Sequence, residues 1–162
     1  MGVLASAPAA WPQNFPGEHQ ETLRAIAAVV LPAELGAAGL DKATADFITW
    51  VKNYRAGAET DHGYGNTRIR AKGQSPAADY LRQLAALKGQ VSAESITAAL
   101  TEAGVTDLPR APGTGHVAAD LMAFYFRSSD ANDLCYRAQI GRDQCRGLAG
   151  SDRAPAPLGR RG

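Results

Sequence analysis

Apolar residues recur at helical spacing in the first third of the chain. In "EHQETLRAIAAVVLP" they fall at positions i, i+3, i+4, i+7 and i+8, which is one face of an α-helix. That face consists of Leu23, Ile26, Ala27, Val30 and Leu31. Pro32 ends the helix because proline has no N–H to continue the hydrogen-bond ladder.

A heavier apolar stripe follows in "LDKATADFITWVKNYRAG". We expect Asp41 to cap the start of this second helix and Gly57 to cap its end. The stripe consists of Phe47, Ile48, Trp50, Val51 and Tyr54. Because Trp50 and Tyr54 are four residues apart, they fall on the same side of the helix, and core packing is the favoured interpretation for both.

Four more helices are indicated further along the chain. Ser75 as N-cap and Pro76 at the first helical position open "SPAADYLRQLAALKG", and Ser92 caps "SAESITAALTEAG". A fifth helix lies in "TGHVAADLMAFYFRSS", and a sixth, shorter one runs from about Ser129 to Arg137. The inward positions of the third, fourth and fifth helices are Tyr80, Leu81, Leu84, Leu87, Ile96, Ala99, Leu100, Val117, Leu121, Phe124 and Tyr125.

The segment "AETDHGYGNTRIRAKGQ" separates the second helix from the third. It holds several glycines and shows no alternation of apolar and polar residues, so we expect a long surface loop over residues 56–74. The sequence therefore predicts an all-α fold, a small irregular bundle of about five to six helices with one long Gly-rich loop and an extended C-terminal tail. Its parts are a flexible N-terminal segment (1–17), a helical domain (18–146) and an extended or disordered tail (147–162).

Length, composition and charge indicate what kind of protein this is and which ligands are not expected. A length of 162 residues with 45% hydrophobic residues suits one globular domain. The net charge of +1 gives no reason to expect nucleic acid or an anionic membrane as a ligand. No apolar run approaches the roughly 18 residues that span a bilayer, so no transmembrane segment is expected.

The N-terminal stretch "MGVLASAPAAWPQNFPG" has no basic residue before Arg24. A secretory signal needs a basic start and a longer apolar core, so this is not an intact one. The string "LASAPAA" nevertheless resembles the small-residue end of such a signal. We therefore expect a mature or trimmed secretory chain, with a disordered N-terminal tail as the alternative.

Catalytic motifs are missing from the sequence. It contains no G-x-S-x-G, no phosphate-binding P-loop and no C-x-x-C-H haem motif, and its three histidines show no metal-ligand spacing. The string "TDHGYGNTR" brings together Asp61, His62 and Tyr64, and an adjacent aspartate can orient an imidazole for acid–base work. No nucleophile or metal ligand accompanies them, which favours a loop held by side-chain hydrogen bonds or a docking loop.

Both cysteines of the chain lie in "DLCYRAQIGRDQC", at Cys135 and Cys145. A zinc site needs three or four ligands, and a redox pair is usually C-x-x-C, so neither is favoured. A disulfide clasp would stabilise the fold by about 2–3 kcal/mol and would indicate an oxidising compartment, the periplasm or the cell exterior. The alternative is two unpaired thiols in a cytosolic protein.

Several strings together resemble the gluconate 2-dehydrogenase subunit 3 family, across roughly residues 18–158. They are "ETLRAIAAVVLP", "ADFITWV", "YRAGAETDHGYG", "SPAADYLRQLAAL", "HVAADLMAFYFRS" and "DLCYRAQIGRDQCRGLAGSDRAPAPL". The family comprises small helical accessory subunits of bacterial flavin-dependent sugar and alcohol dehydrogenases. The resemblance implies a non-catalytic, gamma-type subunit that binds and stabilises an FAD-dependent catalytic partner of the glucose-methanol-choline type and helps to export it.

The resemblance also implies where this chain works and with what. FAD is expected in the partner and no cofactor in this chain, and the complex leaves room for a cytochrome c subunit. Export would use a twin-arginine signal. The sequence lacks this signal, and trimming of the chain would explain its absence. The protein would be periplasmic, or associated with the membrane through its partners.

The surface expected to bind the partner is the Gly-rich loop together with the Arg-rich tail. A free-standing secreted enzyme, or a ligand-binding protein, that uses Asp61, His62 and Tyr64 is the alternative function. For the arginines around the clasp, ordinary solvated surface charge is the alternative. The expected partner-binding residues are His62, Tyr64, Arg68, Arg70, Arg137, Arg142 and Arg146.

Overall fold

A computed structural model describes residues 16–63, 66–113 and 115–140, with the backbone alone at 59, 61–63, 66–68, 70 and 136–140. Helices and one hairpin make up the described part, which is predominantly α as predicted. The helices are α1 (Gly17–Val30), α2 (Gly36–Lys52), α3 (Ala77–Leu87), α4 (Ala93–Glu102), α5 (Val117–Phe126) and α6 (Ser129–Ile140). A 3₁₀ turn (Ala33–Leu35) precedes α2, and strands β1 (Gly57–Gly63) and β2 (Asn66–Lys72) precede α3.

The chain divides into two compact units, Met1–Arg127 and Ser128–Gly162. The first contains α1 to α5 and the hairpin. Of the second, the structure describes α6, which begins at Ser129 as predicted and extends three residues beyond the expected end at Arg137. The predicted flexible N-terminal segment and the predicted tail lie, apart from Pro16 and Gly17, outside the described residues.

The core of the first unit forms around α1, which packs against α2, α3, α4 and α5. The predicted inward face of α1 is confirmed: Leu23, Ile26, Ala27 and Leu31 are buried, and Val30 is half-buried. Each fully buried side chain of this size contributes about 1.5–3 kcal/mol, so this stripe alone explains why α1 forms. The helix ends at Val30, just before Pro32, as expected.

The start of α2 was predicted wrongly. The helix begins at Gly36 rather than at Asp41, because the 3₁₀ turn after Pro32 leads directly into it. Its first residues, "GAAG", are small and carry no apolar periodicity, so the hydrophobic pattern could not mark them. Asp41 instead forms an exposed ion pair with Arg24 of α1, which lowers the pKa of the Asp41 carboxyl group.

The apolar stripe of α2 is confirmed as an aromatic core. Phe47 is 1% exposed, and its ring centroid lies 5.5 Å from that of Trp50, 5.7 Å from Tyr80 and 5.5 Å from Phe124. Trp50 and Tyr54 meet edge to face at 5.4 Å, as their spacing suggested. Aromatic pairs in such geometry add about 0.5–1.5 kcal/mol beyond the area that they bury.

The predicted helix starts of α3 and α4 agree with the structure to within one residue. Ser92 caps α4 by accepting from the Ser95 N–H at 3.1 Å, and the Ser95 hydroxyl accepts in turn from the Ser92 N–H at 2.9 Å. This reciprocal pair satisfies two of the N–H groups that a helix start leaves free. At α3, Pro76 precedes the first helical residue, and the Ser75 hydroxyl accepts from the Ala77 N–H at 3.4 Å.

The segment predicted as a long loop contains an antiparallel hairpin, so that prediction was wrong in its detail. Gly57, the expected end of α2, is the first residue of β1 and pairs with Lys72. An apolar–polar alternation arises only when a sheet buries one of its faces. Within the described residues this sheet has two strands and Ile69 is 78% exposed, so the sequence lacks the alternation from which strands are recognised.

Candidate functional site

The hairpin carries most of the described residues that the sequence marked for partner binding. His62 lies on β1, and Arg68 and Arg70 lie on β2. Tyr64, in the two-residue connection, is outside the described residues, as are Arg142 and Arg146. Arg137 belongs to α6 in the second unit. The structure therefore brings three of the seven residues together on one element.

The register of the hairpin pairs residues of opposite charge. Glu59 stands opposite Arg70, and Asp61 stands opposite Arg68. Directly opposed positions of opposite charge favour a register by about 0.2–1 kcal/mol each. Between these pairs lie Thr60 and Ile69, and β-branched residues favour strands. In this register the sequence offers opposite charges at facing positions in place of apolar alternation.

The alternative catalytic reading depends on Asp61, His62 and Tyr64. Asp61 and His62 are consecutive positions of β1, and consecutive strand positions belong to opposite faces. Their side chains and Tyr64 lie outside the described part, so this alternative stays a prediction. Within 16–63, 66–113 and 115–140, no cluster of three or more His, Cys, Asp or Glu is arranged to hold a metal ion.

The predicted disulfide stays a prediction. Cys135 lies exposed on α6 as a free thiol, and Cys145 is outside the described residues. Nothing in the described part supports a clasp, and the inference of an oxidising compartment rests on the sequence alone.

A groove opens where the hairpin joins the helices; we call it the basal groove. Its volume is about 250 Å³. It lies between Tyr54, the end of the hairpin and the loop before α5, and its lining residues are Tyr54, Ala71, Lys72, Gly73, Arg110, Ala111 and Pro112. The Lys72 ammonium sits 4.5 Å from the centre of the Tyr54 ring, a cation–π distance.

The charge of the basal groove is of one sign. Two of its described lining residues, Lys72 and Arg110, are cations, and none of them is acidic. Two further arginines bind the backbone of lining residues. Arg55 donates to the Tyr54 carbonyl at 3.1 Å, and Arg127 donates to the Arg110 carbonyl. Two positive side chains thus line the groove, and two more are bonded to the backbone of its lining residues.

A buried polar network holds the loop that carries Arg110. Asp120, in the first turn of α5, is 0% exposed. Its Oδ2 accepts from the Tyr80 hydroxyl at 2.6 Å and from the Gly115 N–H at 3.0 Å. Burial, reinforced by the neighbouring Asp120, raises the pKa of the Tyr80 hydroxyl, so Tyr80 remains a donor. The other oxygen, Oδ1, is buried and finds no hydrogen-bond partner among the described residues.

Two more side chains accept hydrogen bonds from backbone N–H groups at the start of α5. His116 Nδ1 accepts from the Ala118 N–H at 3.2 Å, and Gln83 Oε1 accepts from the Val117 N–H at 2.7 Å. Histidine is an unusual cap and serves here because a deprotonated ring nitrogen is an acceptor. Burial lowers the pKa of His116, an effect that the nearby Asp120 partly offsets.

The shifted pKa of His116 predicts that stability falls in mild acid. The unfolded chain, with an ordinary histidine pKa of about 6.5, binds a proton more readily than the folded state does. The contribution of neutral His116 is therefore complete above about pH 6.5 and is lost as the pH falls below that value. We expect a lower melting temperature at pH 5.5 than at pH 7.5, measured by circular dichroism.

The variant His116→Asn tests this origin, because asparagine caps a helix without titrating. Its melting temperature should depend less on pH between 7.5 and 5.5 than that of the wild type. His19→Gln, on α1, controls for the removal of an imidazole elsewhere. An equal pH dependence in wild type and His116→Asn would contradict the assignment.

The residues of this network and of the basal groove were missed by sequence reasoning. Tyr80 was expected only as a core residue, and His116 only as one of three scattered histidines. A signal was present in "HVAADLMAFYF", where an aspartate stands inside an otherwise apolar helix. A charged residue among buried positions needs a partner and so marks a polar network.

Comparisons with known proteins do not assign the chain. No family model, no curated protein and no solved structure matches it. Of the helices in the described residues, none is by itself long and apolar enough to cross a membrane. Gly17–Val30 and Ala33–Lys52 reach that length and composition only as a pair, across a bend of 118°.

Proposed function

We propose that this chain is a non-catalytic subunit of an oxidoreductase complex. It binds and stabilises an FAD-dependent sugar or alcohol dehydrogenase of the glucose-methanol-choline type and helps to export it. The observation that supports binding is the hairpin, and the identity of the partner comes from the resemblance to the gluconate 2-dehydrogenase subunit 3 family. FAD and the redox chemistry belong to the partner. On the same resemblance, we propose a cytochrome c subunit as a further member of the complex.

The hairpin has the properties of a surface that is completed by another chain. A two-stranded hairpin is marginally stable in water unless something packs on it. Both strands leave an edge unpaired within the described part, and Ile69 is 78% exposed. Unpaired strand edges are templates for a strand of a partner protein, and an exposed isoleucine supplies apolar contact area beside them.

Co-expression with a candidate FAD-dependent dehydrogenase of the glucose-methanol-choline type tests the proposal. We expect the two proteins to copurify and the flavoprotein to be more soluble, better exported and more active with this chain than without it. If the flavoprotein is equally soluble, exported and active alone, the proposal fails. Turnover or a bound flavin in the isolated chain would favour the alternative of a free-standing enzyme or ligand-binding protein.

The substitution Ile69→Lys should weaken this copurification without unfolding the chain. Because Ile69 is exposed, the change should alter the free energy of unfolding by no more than about 0.5 kcal/mol. Placing a charge in an apolar interface should lower the affinity at least tenfold, which corresponds to about 1.4 kcal/mol. Affinity is measured by biolayer interferometry and stability by thermal melting.

Val29→Lys is the matched control, since Val29 is an exposed β-branched residue on α1, at 41% exposure. It should bind the flavoprotein as the wild type does. Equal binding by Ile69→Lys and Val29→Lys would remove the hairpin from the interface.

A further inference from the structure

We propose that the basal groove binds an acidic side chain of the partner protein, an aspartate or glutamate presented on a short segment. This inference deepens the proposed function and rests on it. It names a second contact, distinct from the hairpin, and the chemistry that the partner must offer there. The argument comes from charge, size, rigidity and position.

Charge determines the class of group. Lys72 and Arg110 line the groove, and Arg55 and Arg127 are bonded to the backbone of its lining residues. Two cationic side chains that line one concave surface favour an anionic group between them. Arginine and lysine together bind carboxylates through charge-assisted hydrogen bonds, which are about twice as strong as neutral ones.

Size separates a side chain from a cofactor. The groove measures about 250 Å³, below the range of roughly 300–1,000 Å³ in which drug-sized ligands and cofactors bind. A nucleotide would therefore exceed it, whereas one carboxylate side chain with its flanking backbone fits. The Tyr54 ring also lines the groove, with the Lys72 ammonium 4.5 Å from its centre.

Rigidity makes the groove a preformed site. The Arg110 carbonyl accepts from Arg127, Ala111 is 6% exposed, and the Gly115 N–H is held by Asp120 at 3.0 Å. The loop is thus anchored at its beginning, its middle and its end. A binding surface that is already ordered loses less conformational entropy on association, which raises affinity.

Position links the groove to the hairpin. Lys72 is the last residue of β2 and Ile69 lies three residues before it, which corresponds to about 10 Å along the strand. Because these positions are an odd number apart, they belong to opposite faces of the strand, so the groove is a contact separate from the one that Ile69 makes. A carboxylate bound in the basal groove would make the association more selective, because charged contacts contribute specificity as well as affinity.

The charge reversal Arg110→Glu tests the inference in the full chain, with the copurified flavoprotein as the probe. Arg110 is exposed, and its carbonyl bond to Arg127 is unaffected by the side chain, so the fold should be retained. We expect at least a tenfold loss of affinity and a weaker dependence of affinity on NaCl concentration than in the wild type. Arg82→Glu, an exposed reversal on α3 outside the groove, should leave both unchanged.

Zero-length cross-linking gives a second measurement that needs no variant. A carbodiimide joins a lysine amine to a carboxylate in direct contact, and mass spectrometry identifies the two residues. We expect Lys72 linked to an aspartate or glutamate of the flavoprotein. The inference is overturned if the complex forms, Arg110→Glu binds as tightly as the wild type and Lys72 is not cross-linked to the partner. If the wild type does not bind the flavoprotein at all, the proposed function fails with it.

Discussion

The substitution Asp120→Ala should destabilise the protein by about 3 kcal/mol or more. It removes the acceptor of two buried donors, the Tyr80 hydroxyl and the Gly115 N–H. Leaving a buried donor without an acceptor costs about 1–3 kcal/mol each, and the lost side chain leaves a small cavity in addition. The melting temperature should fall on the order of 10 °C, measured by differential scanning calorimetry.

Two further variants separate the hydrogen bonds from the charge. Asp120→Asn keeps an oxygen acceptor in the same place, and the atom that it changes, Oδ1, has no partner among the described residues. It should therefore cost much less than Asp120→Ala. Tyr80→Phe removes one donor and retains the ring contact with Phe47, so we expect a loss of about 1–2 kcal/mol.

The same variants connect stability to the basal groove. Asp120→Ala frees the Gly115 end of the loop that carries Arg110, so it should weaken partner binding even under conditions where the protein remains folded. If Asp120→Ala melts within about 1 °C of the wild type, the network does not hold the loop.

Most helices of the first unit could be predicted because they bury a stripe of large apolar residues. Helix α4, which buries Ile96, was marked instead by its cap at Ser92. Leu23 and Ile26 on α1, and Tyr80 and Leu84 on α3, are 1% exposed or less. Their spacing carries the same information that the folded packing uses. Where a helix begins with small residues, as α2 does at Gly36, that information is missing and the predicted start was late.

The hairpin and the basal groove could not be predicted for a different reason. In the part of the hairpin whose side chains are described, Ile69 is 78% exposed, and its strands show no apolar–polar alternation in the sequence. The groove draws its lining from three distant parts of the chain, near Tyr54, at Lys72 and at Arg110. Likewise, Tyr80 and Asp120 are forty positions apart, and only the packing of α3 on α5 brings them within 2.6 Å. Such sites depend on tertiary contacts, which the spacing of residues along the chain does not reveal.

The substitution Gly113→Ala should have an effect comparable to that of Asp120→Ala, about 2–4 kcal/mol. Gly113 has a φ of 105°, which residues with a side chain rarely adopt, and enforcing it costs about 1–3 kcal/mol. A Cβ atom here would also lie 3.0 Å from Cε2 of Tyr54 and 3.4 Å from Cη2 of Trp50. Because Tyr54 is 8% exposed and packs edge to face on Trp50, it has little room to give way.

Gly115→Ala is the matched control two residues later. A Cβ atom at Gly115 meets no atom of the described residues within 4 Å, and alanine retains the N–H that Asp120 binds. Urea denaturation should therefore show a stability close to that of the wild type for Gly115→Ala and a clear loss for Gly113→Ala. Since Tyr54 lines the basal groove, displacing it should also weaken binding of the flavoprotein in Gly113→Ala alone. Equal stability of the two variants would mean that the loop does not pack tightly against Tyr54. The inference that the groove is preformed would then be wrong.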